Sequence, residues 1–134
     1  MTVLVDTSAF YALIDADDKW HDNAFAGWKK LLEERAALQT TSYVLVETVS
    51  LLQNRIGLDA VRTFAADVLP AVEVMWVDDA AHAAAFHALL VSGRRHLSLV
   101  DCVSFEVMLR AGIDTGFTFD PHFAEQGFRV IPAA

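Results

Sequence analysis

A chain of 134 residues with 54% hydrophobic residues has the length for one domain, here residues 1–134, and more apolar content than most globular proteins. No apolar run reaches the ~18 residues of a membrane span, Met1–Asp6 lacks the features of a signal peptide, and the one cysteine, Cys102, excludes an internal disulfide; a cytoplasmic location is expected, with apolar surface left for a partner or a second copy. The net charge of −8 argues against general nucleic-acid binding, which draws on Lys and Arg, unless divalent cations offset clustered carboxylates.

The chain opens on Val3-Leu4-Val5, a buried-strand signature ending at Asp6. Ser8 is the expected cap of a helix reaching Ile14, and a second helix is expected from Asp18, carrying Trp20, Phe25, Trp28, Leu31 and Leu32 at helical spacing. Leu38–Thr41 reads as a short strand, after which Ser42 is expected to cap a helix through Arg55, ended by Gly57. Leu58–Val68 reads as a helix closed by Pro70, Val72–Val77 as a strand, Asp79–Val91 as a helix and Leu99–Arg110 as a helix stopped at Gly112. Gly116–Phe119 and Phe128–Ile131 are the last strands, with a short helix opened by Pro121 between them. This alternation calls for a three-layer α/β/α fold around a mainly parallel sheet of about five strands. Such sheets bind ligands beyond the carboxyl ends of their strands, and Asp6 and Asp120 each follow directly on one.

Four carboxylates stand out. Glu47 shares a helix face with Tyr43, Val44 and Leu51, the face an amphipathic helix turns inward. A buried carboxylate needs a partner or a metal, and Arg55 lies two turns away, beyond the usual pairing distance on a helix; escape to solvent at the helix edge is the competing reading. Asp101, three residues after Ser98, also fits a capping box. Asp120 before Pro121 fits an ordinary helix cap, and Asp6 could merely start a turn. As a set they are more informative. Three lie where this topology puts active sites, the fourth faces inward from a neighbouring helix, and clustered carboxylates repel unless hard cations such as Mg²⁺ or Mn²⁺ join them. Metal-assisted hydrolysis of a phosphodiester is the chemistry such a site supports.

The five histidines show no i, i+4 pair and no cysteine partner, so zinc is not expected. Phosphate-cradling glycine loops and a nucleophile elbow are absent from the sequence. Arg94 and Arg95, the one arginine pair, precede the helix carrying Asp101 and form a candidate RNA strip; the alternative is that they merely balance acidic surface or the preceding helix end.

Val3–Ser8, Ser42–Glu47, Leu97–Cys102 and Phe117–Phe123, with Gly127 beyond, together resemble the PIN-domain family in its own order, and within it the VapC-type toxins of prokaryotic toxin–antitoxin pairs. The resemblance implies that Asp6, Glu47, Asp101 and Asp120 form an acidic metal site lined by Thr118. It also implies Mg²⁺- or Mn²⁺-dependent RNA cleavage leaving a 5′-phosphate and a 3′-hydroxyl, homodimerisation, and inhibition by a cognate VapB-type antitoxin. Within that reading, Asp6 and Asp101 are the main metal ligands while Glu47 and Asp120 orient the attacking water. Two alternatives compete. A receiver-like phospho-accepting domain would want an acidic pair after the first strand and a late lysine, whereas Asp78-Asp79 follows a middle strand and no lysine follows Lys30. The other is a catalytically silent PIN-like binding module.

Overall fold

The computed structural model describes residues 1–132. Its elements run β1 (Thr2–Val5), α1 (Thr7–Ile14), α2 (His21–Glu33), β2 (Ala37–Thr41), α3 (Ser42–Arg55), α4 (Leu58–Thr63), β3 (Glu73–Met75), α5 (Asp79–Ser92), α6 (Leu99–Ala111), β4 (Thr115–Phe117), α7 (His122–Glu125) and β5 (Arg129–Ile131). Among the described residues the five strands form one sheet, ordered β3-β2-β1-β4-β5 and parallel throughout. Parallel neighbours need crossovers, and helices between the strands supply them, as the alternation predicts.

Period-two alternation along β1 divides the core. Val3 and Val5 join one cluster with Phe10, Trp28, Val44 and Phe117, whereas Leu4 joins the other with Val103, Phe105, Met108 and Phe123. A sheet buried on both faces explains the apolar surplus without a membrane segment. Among the described residues no helix is long and apolar enough to cross a membrane.

Several local expectations shift. Thr41, not Ser42, caps α3: its Oγ1 accepts from the Val44 amide at 3.1 Å. Ser42 Oγ accepts from the Val77 amide instead, pinning the start of α3 beside the end of β3. The second helix starts at His21 rather than Asp18, because Asp18 Oδ1 accepts from the Trp20 amide and holds that segment in a turn. The helix expected over Leu58–Val68 is regular only to Thr63. A π-helical turn (Phe64–Val68) and a 3-10 turn (Leu69–Ala71) follow, since Pro70 has no N–H with which to continue an α-helix. The strand expected at Val72–Val77 pairs only over Glu73–Met75.

Other signals are realised as read. Asp78 caps α5 through the Ala81 amide. Ser98 and Asp101 form the capping box of α6, and Gly112 ends that helix at φ 69°, a left-handed conformation that glycine adopts without a Cβ penalty.

Candidate active site

The strand order reverses at β1, with β2 on one side and β4 on the other. Asp6 directly follows β1, and its amide donates to the Phe117 carbonyl at 3.0 Å, locking it beside the end of β4. Thr118 and Asp120 continue from β4, so the switch point brings residues more than 110 positions apart into one crevice. The crevice is a cleft of about 430 Å³ lined by Asp6, Glu47, Asp101 and Asp120, all four expected acids, together with Ser8, Tyr11 and Arg55.

Asp6 is 3% exposed, and two hydroxyls hold it: Ser8 Oγ donates to its Oδ2 at 2.8 Å and Thr118 Oγ1 donates to the same atom at 2.9 Å. The hydroxyls lie 3.1 Å apart and accept in turn from backbone amides, Ser8 from Phe119 and Thr118 from Asp120, each at 2.9 Å. Thr118 therefore lies against Asp6 in the crevice. Ser8 does not cap α1. Its hydroxyl serves the crevice, and α1 has no side-chain cap. Burial raises the Asp6 carboxyl above the usual range, the Ser8 and Thr118 bonds oppose that rise, and the nearby Asp120 charge adds to it.

Asp101 occupies two roles at once. It closes the capping box, accepting from the Ser98 amide at 3.3 Å while Ser98 Oγ accepts from its own amide at 3.0 Å. It also lines the cleft, and burial first, then the charges of Asp6 and Asp120, push its pKa up to about 6. Asp120 caps no regular helix. Its Oδ1 accepts from both the amide and Nδ1 of His122, at 2.9 and 2.7 Å, because Pro121 holds the chain in a turn that puts α7 one residue later.

Glu47 is half-buried and lines the cleft beside Leu51. Sequence spacing puts Arg55 too far along the helix to be a partner for Glu47. The structure places it in the same cleft by another route, with its guanidinium carbon 5.2 Å from the centre of the Tyr11 ring. His122 is a second residue that spacing missed: Asp101, Asp120 and His122 each present a ligand atom within 4.8 Å of the others, although no i, i+4 histidine pair exists. Arg94 is exposed and bonds Glu125 at 2.8 Å; neither it nor Arg95 is among the cleft-lining residues, whereas His96 is.

The donor set fits a hard divalent cation. Carboxylate oxygens dominate it, two of the acids are buried, and their mutual repulsion is what such a cation relieves. The PIN domain family model matches residues 3–129. The chain belongs to the PIN-domain family. That membership displaces the receiver-like alternative. Among similar proteins is the 23S rRNA-specific endonuclease VapC20 of Mycobacterium tuberculosis, 34% identical over 127 residues that cover 94% of this chain and 95% of that one. Its crystal structure, described as that of a sarcin–ricin loop cleaving toxin, superposes with a TM-score of 0.80 over the same shares of the two chains. FitAcB from Neisseria gonorrhoeae (18% identity, TM-score 0.66, 97% of this chain and 96% of that one) shares the PIN fold. So does VapBC2 from Rickettsia felis (12% identity, TM-score 0.69, 97% of each chain).

Proposed function

We propose that this protein is a cytoplasmic, divalent-metal-dependent endoribonuclease and the toxin of a toxin–antitoxin pair. The observation that carries the reading is the convergence of Asp6, Asp101 and Asp120 at the switch point, close enough for the other two to raise Asp101, with Glu47 in the same cleft. The relative named as a 23S rRNA-specific endonuclease, matching almost the whole chain, supports RNA as substrate.

Asp6 and Asp101 would be the principal ligands of Mg²⁺ or Mn²⁺. When bound, the ion supplies Lewis-acid polarisation of the phosphoryl group and makes bound water more acidic. Thr118 and Ser8 fix the Asp6 carboxylate, so little reorganisation is needed when substrate arrives. Glu47 and Asp120 orient the attacking water, leaving a 5′-phosphate and a 3′-hydroxyl. Arg55, held over Tyr11 inside the cleft, is the cation placed to meet a substrate phosphate there. Arg94 and Arg95 remain the proposed outer RNA contact, with Arg94 first having to exchange Glu125 for phosphate.

The protein would form a homodimer and bind a VapB-type antitoxin. The outer face of α5 offers apolar surface for self-association: Phe86 and Leu90, one turn apart, are both exposed.

Incubating the protein with total RNA in EDTA, Mg²⁺ or Mn²⁺ and sequencing the new 5′-phosphate ends tests the reading. Discrete cuts that need the metal and vanish in Asp6→Asn support it. Metal-independent cutting refutes the mechanism, and intact RNA throughout would instead favour the silent binding module.

A further inference from the structure

Beside the acidic cleft lies a second hollow, about 300 Å³, lined by Trp20, Asn23, Phe119, Asp120 and Pro121 among others. The two cavities share a wall, because Trp20, Phe119 and Asp120 line both. The rings of Trp20 and Phe119 are stacked, 5.1 Å between centroids and 9° from parallel. Trp20 remains 39% exposed, which is unusual for so large a ring and leaves it within reach of a ligand. The Lys19 ammonium lies 5.2 Å from the Trp20 ring centre.

We propose that this hollow holds one unpaired nucleobase of the RNA whose phosphate enters the acidic cleft; the inference rests on the ribonuclease reading. Three observations favour a base. A flat aromatic wall accepts any base by stacking, and proteins that recognise RNA in loops splay unpaired bases onto such rings. Asn23, whose amide offers two donors and an acceptor, is among the residues lining an otherwise mainly apolar pocket, which suits the polar edge of a base. The shared wall at Asp120 makes the hollow continuous with the acidic cleft, and the Lys19 ammonium adds positive charge beside the Trp20 ring. The base next to the cut is thus gripped by Trp20, and cleavage is confined to RNA that can present one unpaired there.

The test uses an RNA hairpin spanning a cut site mapped in total RNA, bound to the uncleaving Asp6→Asn protein. Abasic nucleotides replace each position around the cut in turn. One flanking position is expected to lose affinity on the order of tenfold when abasic, the scale of one stacked base. Trp20→Ala should lose a similar factor on intact RNA, lose nothing more on the RNA abasic at that position, and recover largely in Trp20→Phe. In an Asp6→Asn, Trp76→Phe background, intact RNA should quench tryptophan emission and the abasic RNA should not, a readout that leaves Trp20 in place. Independent, multiplying losses from Trp20→Ala and the abasic site overturn the inference while mapped cleavage leaves the ribonuclease reading standing. Loss of affinity for a protein partner alone, with RNA binding unchanged, also overturns it. Failure to cut any RNA with either metal overturns the ribonuclease reading and this inference with it.

Discussion

Thr118 donates its hydroxyl proton to Asp6 Oδ2 at 2.9 Å across 112 positions of sequence, and in the same geometry accepts from the Asp120 amide. One hydroxyl thereby fixes two of the four acids. Thr118→Val keeps the shape but removes both bonds. Cleavage should fall 10- to 100-fold, with more Mg²⁺ needed for half-maximal rate. Stability should fall by about 1–3 kcal/mol in urea unfolding, because buried polar groups lose partners. Thr118→Ser should restore most of the rate; a Thr118→Val protein that cuts normally would remove the positioning role.

Removing charge should separate activity from stability. Asp6→Asn and Asp101→Asn are each expected to abolish metal-dependent cleavage while the metal-free variant melts at or above the wild-type temperature at pH 7. The reason is that like charges are buried together and Asn retains the oxygen that accepts hydrogen bonds. Calorimetry in EDTA decides the stability part, and sequencing of cut ends decides the activity part.

The raised Asp101 carboxyl gives a pH dependence of definite sign. Its pKa is about 6 in the folded chain against an ordinary value of 3.8, so the folded state binds the proton more tightly than the unfolded state. The stabilisation is present in full below about pH 4 and is lost as pH rises through 6, amounting to roughly 3 kcal/mol at the upper bound. Asp6 shifts in the same direction. The difference in urea stability between wild type and Asp101→Asn, measured in EDTA from pH 4 to 7.5, should therefore move against the wild type as pH rises. Saturating Mg²⁺ should reverse the trend, since it binds the ionised carboxylates. A difference independent of pH would show that Asp101 titrates normally.

Arg55 and the Arg94–Arg95 pair differ in what surrounds them, and salt should reveal it. In an Asp6→Asn background, Arg55→Ala should weaken RNA binding and reduce the log–log salt slope by about one. The double substitution Arg94→Ala, Arg95→Ala should change the slope by less than two, because Glu125 already neutralises Arg94. An unchanged slope for Arg55→Ala would mean that no phosphate reaches it.

The outer face of α5 bears on self-association. Light scattering should show a dimer at micromolar concentration, and Phe86→Asp with Leu90→Asp should convert it to monomer without lowering the melting temperature of the separated chain. A wild-type monomer at high micromolar concentration would end the dimer proposal.

Local signals carried much of this architecture. Alternation of short apolar runs with amphipathic stretches is enough to specify a parallel three-layer fold, and Asp6 directly after β1 follows from it because strand ends are where such sheets open. Asp120 does not follow directly on a strand as expected, since β4 stops at Phe117 and Thr118 and Phe119 intervene. The capping box at Ser98 and Asp101 was legible for the same reason: both partners lie within one turn. The contacts that local sequence does not reveal are mostly those between residues far apart along the chain. Ser8 looks like a helix cap until β4 places Thr118 3.1 Å away. Arg55 looks isolated along its own helix until α1 brings Tyr11 beneath it. His122 has no helical histidine partner, yet the turn at Pro121 folds it back onto Asp120. The Thr41 cap was displaced by one residue because Ser42 had a more distant use, holding Val77.

The neighbouring of β1 and β4 has a consequence during synthesis. A nascent chain that has emerged through α6 already contains Asp6, Glu47 and Asp101, but β1 still has a bare edge where β4 will dock, and neither Thr118 nor Asp120 has arrived. Asp6 then lacks one of its two hydroxyl donors, and the cleft lacks the wall that Phe119 and Asp120 provide. A chain with this strand order has an incomplete acidic cleft until β4 is made. The cleft closes only when the fourth strand docks beside the first, so the acidic site is among the last parts of the fold to be completed.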